Sequence, residues 1–283
     1  MKNVQDCFVL NNGVKIPCIG FGTWQTPNDD TGIQAVIAAL EAGYRHIDTA
    51  AGYYNEESVG IAVRKSGIKR EDLFITSKLW NTDHGYEAAK AAFEKTMGNL
   101  KMDYIDLFLI HWPNPVHLRD SWAEANAGTW KAFEEFYTEG RIKALGISNF
   151  LPHHMDALLK TANIVPAVNQ IRLSPGITQD ETCEYCKKRG ILLEAYSPLG
   201  TGGVFKSKEM QDLASKYNKT IAQICVKWCL QKDYLPLPKS VKKERIIENI
   251  DVFDFEISQA DIDYISKINI ENVPNWDPDT VSW

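Results

Sequence analysis

Eight short apolar runs recur along this chain, each followed by a segment of helical period. Strands separated by helices do not return as hairpins; they run parallel, and a parallel sheet has both faces covered. The first run is Ile19-Gly20-Phe21-Gly22-Thr23-Trp24, after which Ile33, Val36, Ile37 and Leu40 form a helical stripe that stops at Gly43. Further runs fall at residues 46–48, 73–78, 103–111, 142–149, 167–170, 191–197 and 235–240. Helical segments alternate with them: residues 55–66, the stripe Ala89, Phe93, Met97 and Leu100, the stripe Trp130, Phe133 and Tyr137, then residues 152–162. Thr178-Gln179-Asp180-Glu181 and Thr220-Ile221-Ala222-Gln223 read as capping boxes opening two more, and residues 245–249 begin the last. Ahead of this series, Asn12-Gly13 between alternating apolar residues predicts a hairpin. One more helix is expected over residues 258–268, then an irregular tail over 269–283.

With 283 residues, 44% of them hydrophobic, and no linker, the chain reads as one α/β domain over 1–283, a (β/α)8 TIM barrel, for which about 250 residues suffice. Pro236 and Pro238 in the last run are expected at its ends or at a distortion. The open, doubly wound alternative fails its own fingerprint, because the third position after Gly22 is Gln25 instead of glycine.

The formal net charge of −6 offers no basic footprint for nucleic acid or an anionic membrane. The first residues lack the apolar core of a signal peptide, and no run is long enough to span a bilayer, so a cytoplasmic protein, monomer or weak dimer, is expected. Of six cysteines, Cys183 and Cys186 have the spacing of a zinc or redox motif, and Cys225 and Cys229 lie one helical turn apart. Both pairs sit inside helical patterns, which predicts packed free thiols and no metal.

Polar residues stand where the apolar runs stop: Asp48, Lys78, His111, Ser148, Asn149, Gln170, Tyr196, Lys239 and Ser240. In such barrels the active site is assembled at that end. Taken singly, an acidic strand end caps a helix, a lysine snorkels and a histidine satisfies structure; four candidates on successive exits, Asp48, Tyr53, Lys78 and His111, point to chemistry. A phenol has a pKa of about 10 and donates a proton well only beside a cation that stabilises its anion. Lys78 supplies the cation and Asp48 the counter-charge. A metal-dependent hydrolase is disfavoured, since there is no His-x-His pair and Lys78 would repel the metal.

Through Gly20-Phe21-Gly22-Thr23-Trp24, His46-Ile47-Asp48-Thr49-Ala50, Thr76-Ser77-Lys78-Leu79-Trp80, Leu109-Ile110-His111-Trp112-Pro113, Gly146-Ile147-Ser148-Asn149-Phe150, Val168-Asn169-Gln170, Ala195-Tyr196-Ser197-Pro198-Leu199-Gly200 and Pro238-Lys239-Ser240-Val241, the chain resembles the aldo-keto reductase family from Leu10 to the tail. The resemblance implies NADPH-dependent reduction of an aldehyde or ketone, with Tyr53 as proton donor, Lys78 lowering its pKa, Asp48 orienting Lys78 and His111 positioning the carbonyl. It implies that Gly22, Thr23, Trp24 and Asp48 border the cofactor, that Ser148, Asn149 and Gln170 bond the carboxamide, and that Tyr196 stacks on the nicotinamide. Ser197, Leu199 and Gly200 would line the pyrophosphate, Lys239, Ser240, Val241 and Arg245 the adenosine 2′-phosphate, and Glu248 and Asn249 the adenine. The substrate pocket would comprise Trp24, Tyr54, Trp80, His111, Trp112, Trp122 and Trp276.

Two departures from the family pattern stand out. Arg172 and Ser174 replace the usual acidic residue and histidine after Gln170; Arg172 is expected to bind a neighbouring carboxylate, or alternatively to attract an acidic substrate. Gly52 and Tyr54 flank the tyrosine unusually and bear on pocket shape. The competing reading is a non-enzymatic NADPH-binding regulatory barrel.

Overall fold

The computed structural model describes residues 1–270 and 273–283. Residues 271 and 272 of the expected irregular tail lie outside the described residues; the tail's described part carries no helix or strand. Strands β1 (Cys7–Val9) and β2 (Lys15–Pro17) form the expected antiparallel hairpin. Eight parallel strands follow in chain order around one sheet: β3 (Gly20–Gly22), β4 (His46–Asp48), β5 (Phe74–Leu79), β6 (Ile105–Ile110), β7 (Ile142–Ser148), β8 (Val168–Arg172), β9 (Leu192–Tyr196) and β10 (Leu235–Leu237). Gly22 N–H donates to the Pro238 carbonyl at 3.0 Å, which brings the two ends of the sheet together into a (β/α)8 barrel. That seam requires glycine: a Cβ on Gly20 would lie 2.5 Å from Leu237 Cδ2. Pro236 falls in the middle of β10, not at its end, and β10 is only three residues long.

Alternation along each strand divides the interior in two. Leu107, Leu109, Ala144, Val168, Leu235 and Leu237 fill the barrel, with Leu10 and Ile16 of the hairpin packed beneath them. Ile47, Ile75, Phe108, Ile110 and Ile147 face outward against helices α1 (Asp30–Glu41), α2 (Glu56–Lys65), α3 (Tyr86–Leu100), α4 (Trp122–Thr138) and α5 (Pro152–Leu158). The layer continues with α6 (Asp180–Lys188), α8 (Ile221–Gln231), α9 (Lys243–Ile250) and the expected extra helix α10 (Gln259–Lys267). Between β9 and α8 lies α7 (Lys208–Tyr217), which the apolar pattern does not announce, since only Met210, Leu213 and Ala214 are buried in it.

Of the two expected capping boxes, that at Thr220 and Gln223 forms. The other does not. Gln179 occupies the cap position of α6 with φ 44°, and its side chain instead donates to the Arg172 carbonyl. All six cysteines are free, and among them Cys7 alone is exposed. Among the described residues, no helix is long and apolar enough to cross a membrane.

Candidate functional site

Strand β4 ends at Asp48, and a short turn at Ala51–Tyr53 swings Tyr53 back over the barrel mouth. Lys78, on the inward row of the neighbouring β5, is fully buried. Its Nζ donates to Asp48 Oδ1 at 2.7 Å, to the Thr49 carbonyl at 2.8 Å and to Tyr53 Oη at 3.3 Å. Burial alone would lower the ammonium's pKa, but Asp48 and then Tyr53 outweigh it and the net direction is up. Lys78 therefore stays charged. For Tyr53, burial is the larger influence and, with Asp48 adding to it, leaves the phenol above its ordinary value, while Lys78 lowers it in the expected direction. Tyr53 is thus a firmly protonated phenol with a cation waiting at its oxygen.

His111, one strand further on, packs edge-on against Tyr53 and Trp80, with ring centroids 5.5 Å and 5.1 Å away. Burial, followed by the charge on Lys78, holds its pKa well below the ordinary imidazole value, so the ring is neutral. Gly52 explains part of this geometry. A Cβ there would sit 2.4 Å from Trp80 Cε3, so the indole can lie against the backbone only because the residue is glycine.

Beneath this floor lies a second layer that the sequence reading missed. Gln170 Nε2 donates to Asp48 Oδ2 and to Glu194 Oε2, both at 2.8 Å. Glu194 is fully buried, and burial, then the nearby Asp48 charge, pushes its carboxyl up to about 8. His46, 4.0 Å from Glu194, bonds Thr76 Oγ1 at 2.9 Å and is pushed down to about 3, first by burial and then by Lys78. The polar groups behind Asp48 are neutral acids and bases.

A cavity of about 890 Å³ opens from this floor. Asp48, Tyr53, His111, Trp24, Trp80 and Trp112 line one part of it; Ser148, Asn149, Gln170 and Tyr196 line its wall. It continues past Gly22, Ser197 and Leu199 to Lys239, Ser240, Arg245, Glu248 and Asn249. Asn149 donates to the His111 carbonyl at 3.0 Å and to Ser148 Oγ at 3.1 Å, and accepts from Tyr196 Oη at 2.9 Å. That network fixes the Tyr196 ring.

Several expected residues lie elsewhere. Tyr54 is 77% exposed with a left-handed backbone, φ 56°, so its ring points to solvent. Val241 is exposed outside the cavity lining, while Thr23 and Gly200 are buried behind it; Thr23 Oγ1 donates to the Asp48 carbonyl at 2.9 Å. Trp122 opens α4 with its ring on His154, centroids 4.8 Å apart, and is absent from the lining. Arg172 finds no carboxylate among the described residues. Its guanidinium lies instead over the Trp276 ring, 5.0 Å from the centroid.

The sequence of residues 18–270 matches the model of the Aldo/keto reductase family. This chain belongs to that family. It is 47% identical over 277 residues to the glyoxal reductase of Bacillus subtilis, covering 98% of each chain. A 9,11-endoperoxide prostaglandin H2 reductase of Trypanosoma cruzi is 42% identical, over 97% of this chain and 95% of its own. Among solved structures, an aldo/keto reductase from Brucella melitensis superposes with a TM-score of 0.88 at 43% identity, covering 94% of this chain and 99% of that one. An aldo-keto reductase from Bombyx mori, solved in complex with NADP, superposes with a TM-score of 0.84 at 34% identity, over 92% of both chains.

In this aldo/keto reductase the tail completes the mouth. Trp24, Trp276, Trp283 and Trp112 follow one another edge to face, with successive centroids 6.2 Å, 6.0 Å and 5.5 Å apart. Trp283 lines the cavity although no periodicity marks it. Asp279 ties the tail down: it accepts from His154 Nε2 at 2.9 Å and Asn114 Nδ2 at 2.8 Å, with His153 Nε2 3.1 Å from its second oxygen. The ligand atoms of His153, His154 and Asp279 lie within 4.8 Å of one another, as a metal would need. However, His154 Nδ1 accepts the Leu151 N–H at 3.1 Å, so Nε2 carries the ring proton and has no lone pair for a metal. The cluster is a clasp.

Proposed function

We propose that this aldo/keto reductase uses NADPH to reduce aldehyde and ketone carbonyls to alcohols, with Tyr53 as proton donor. The observation that carries the reading is Lys78 Nζ held between Asp48 Oδ1 and Tyr53 Oη on the floor of the cavity. The cavity's composition supports a dinucleotide phosphate. Its far end holds Lys239, which donates only to the Gln25 carbonyl, and Arg245, which has no ion pair among the described residues. Between the floor and that end the cavity runs past Ser197, Leu199, Thr201 and Gly202, a wall of small and backbone-rich residues along which an extended dinucleotide can lie. Gln170 spends its amide hydrogens on Asp48 and Glu194, which leaves its carbonyl oxygen for the N–H of a carboxamide.

When bound, a reduced nicotinamide contributes a hydride for the carbonyl carbon. The chain's part is to bind, orient and protonate. Neutral His111 hydrogen-bonds the carbonyl oxygen, and Tyr53 Oη delivers its proton to that oxygen as negative charge develops there. Lys78 then faces a tyrosinate, and the attraction that was modest toward a neutral phenol becomes strong. Asp48 never touches the substrate; it keeps Lys78 charged and aimed. In reverse, tyrosinate would accept the proton of a CH–OH donor. The likeness to a protein named glyoxal reductase supports short dicarbonyls as the first substrates to try.

Loss of NADPH absorbance with glyoxal, methylglyoxal, aromatic aldehydes and ketones tests the assignment. Turnover of at least one is expected; tight NADPH binding with no consumption by any of them would favour the regulatory barrel. Arg245→Ala should raise the KM for NADPH by about tenfold or more and leave that for NADH nearly unchanged, because a charge-assisted bond to a phosphate is worth about 1.5–3 kcal/mol. An unaltered preference for NADPH would exclude Arg245 from the phosphate pocket.

A further inference from the structure

We propose that Arg172 recognises a carboxylate on the substrate, so that this site takes carbonyl compounds that are also acids. The inference rests on the reductase reading above and names the substrate class within it. Arg172 ends β8 on the same inward row as Gln170, two positions earlier, and pairs in register with Tyr196 of β9. Gln170, Tyr196 and Trp276, its neighbours along the strand, across the sheet and above, all line the cavity; Arg172 itself lies directly behind them and outside the lining. The side chain is 1% exposed, yet Nε, Nη1 and Nη2 have no hydrogen-bond partner among the described residues. Burial draws its pKa down.

A guanidinium laid on an indole spends its face; its five N–H donors lie in the plane and are still available. A buried cation with no acceptor is costly, and exchanging it for an apolar side chain of similar length should be neutral or stabilising unless a ligand repays the cost. The other cation at the floor, Lys78, is already committed to Asp48, Thr49 and Tyr53. Trp276, which covers Arg172, belongs to the aromatic arc across the mouth, so a shift of that one ring opens the guanidinium to the substrate side. A carboxylate bound in the guanidinium plane would satisfy two donors at once and leave the carbonyl end to His111 and Tyr53.

The test compares matched acids and esters, glyoxylate with methyl glyoxylate and succinic semialdehyde with its methyl ester, in the wild type, Arg172→Met and Arg172→Lys. The wild type should favour the acids. Arg172→Met should lose about tenfold or more in kcat/KM on the acids and less than about twofold on the esters, with the KM for NADPH unchanged, and Arg172→Lys should recover part of the loss. Cofactor-free Arg172→Met should melt at or above the wild-type temperature, by roughly 2 °C or more if the buried charge is uncompensated. Equal losses on acid and ester, a raised KM for NADPH, or a lower melting temperature would each overturn the assignment. A wild type that reduces the esters, or glyoxal and the other neutral carbonyls, but not the acids refutes this inference alone; one that reduces no carbonyl at all refutes the reductase reading itself.

Discussion

Tyr53→Phe is expected to lose about a thousandfold or more of kcat while binding NADPH as tightly as the wild type, since a positioned general acid contributes roughly 10²–10⁴ and no other group replaces it here. The substitution removes one oxygen and leaves the ring that packs on His111. Lys78 keeps Asp48 and the Thr49 carbonyl as acceptors, so the ammonium is not orphaned and the fold should hold. Lys78→Met is the sharper companion. It leaves Asp48 with Gln170 alone, and breaking a buried pair by removing one partner typically costs about 3–5 kcal/mol. Stopped-flow turnover alongside fluorescence titration with NADPH separates the two variants. If Tyr53→Phe retained a tenth of the wild-type kcat, the proton would have to come from elsewhere.

The second large effect is in stability against pH for the cofactor-free protein. His46, His84, His111 and His154 are withdrawn from water; His46 is pushed down to about 3, His84 and His154 to about 4 and His111 well below its ordinary value, in each case by burial first. Unfolded imidazoles titrate near 6.5. Below that pH the unfolded chain binds four protons that the native chain refuses, so stability falls as the solution is acidified. Glu194 has the opposite sign. Its native carboxyl keeps a proton up to about 8, whereas an unfolded glutamate is ionised above about 4.5, so this one group favours the folded state less as pH rises. Between roughly pH 5 and 6 the net difference is about three protons, and stability should climb by about 4 kcal/mol per pH unit. It should peak near pH 7 and decline gently toward 8. Glu194→Gln should remove the alkaline decline and leave the acid limb. Urea midpoints across pH 5 to 8 would show this directly, and a flat acid limb would mean that the histidines are hydrated.

Much of this was legible in the sequence because the switch between strand and helix periods is a local property. The four residues at the floor stand at strand exits, where chain order alone predicts a common rim. Glu194 carried a readable signal that was not used: an acidic residue inside an apolar run, two positions before Tyr196, must share its inward face. Other features depend on what lies across the structure. Trp122 sits near His111 along the chain, but the side its ring takes is decided by His154 on α5. The failed cap at residues 178–181 has the same origin, because Gln179 spends its side chain on the Arg172 carbonyl. Helix α7 is too polar for its stripe to be seen. Arg172 illustrates the limit most clearly: the sequence supplies a cation, and only the packing discloses that Trp276 covers it and that no carboxylate among the described residues meets it.

The Asp279 clasp also bears on how this pocket can be remodelled. Asn114 follows β6, His153 and His154 belong to α5, and Asp279 lies in the tail, yet one carboxylate joins them. Arg119 adds a tie from the same loop, donating to the Pro278 carbonyl at 3.2 Å and to that of Val281. The walls around the mouth are therefore one inheritance unit and not interchangeable parts. A loop transplanted from a relative without its two counterparts would arrive with an unneutralised carboxylate or an idle amide, so specificity in this scaffold is best exchanged as a matched trio of segments.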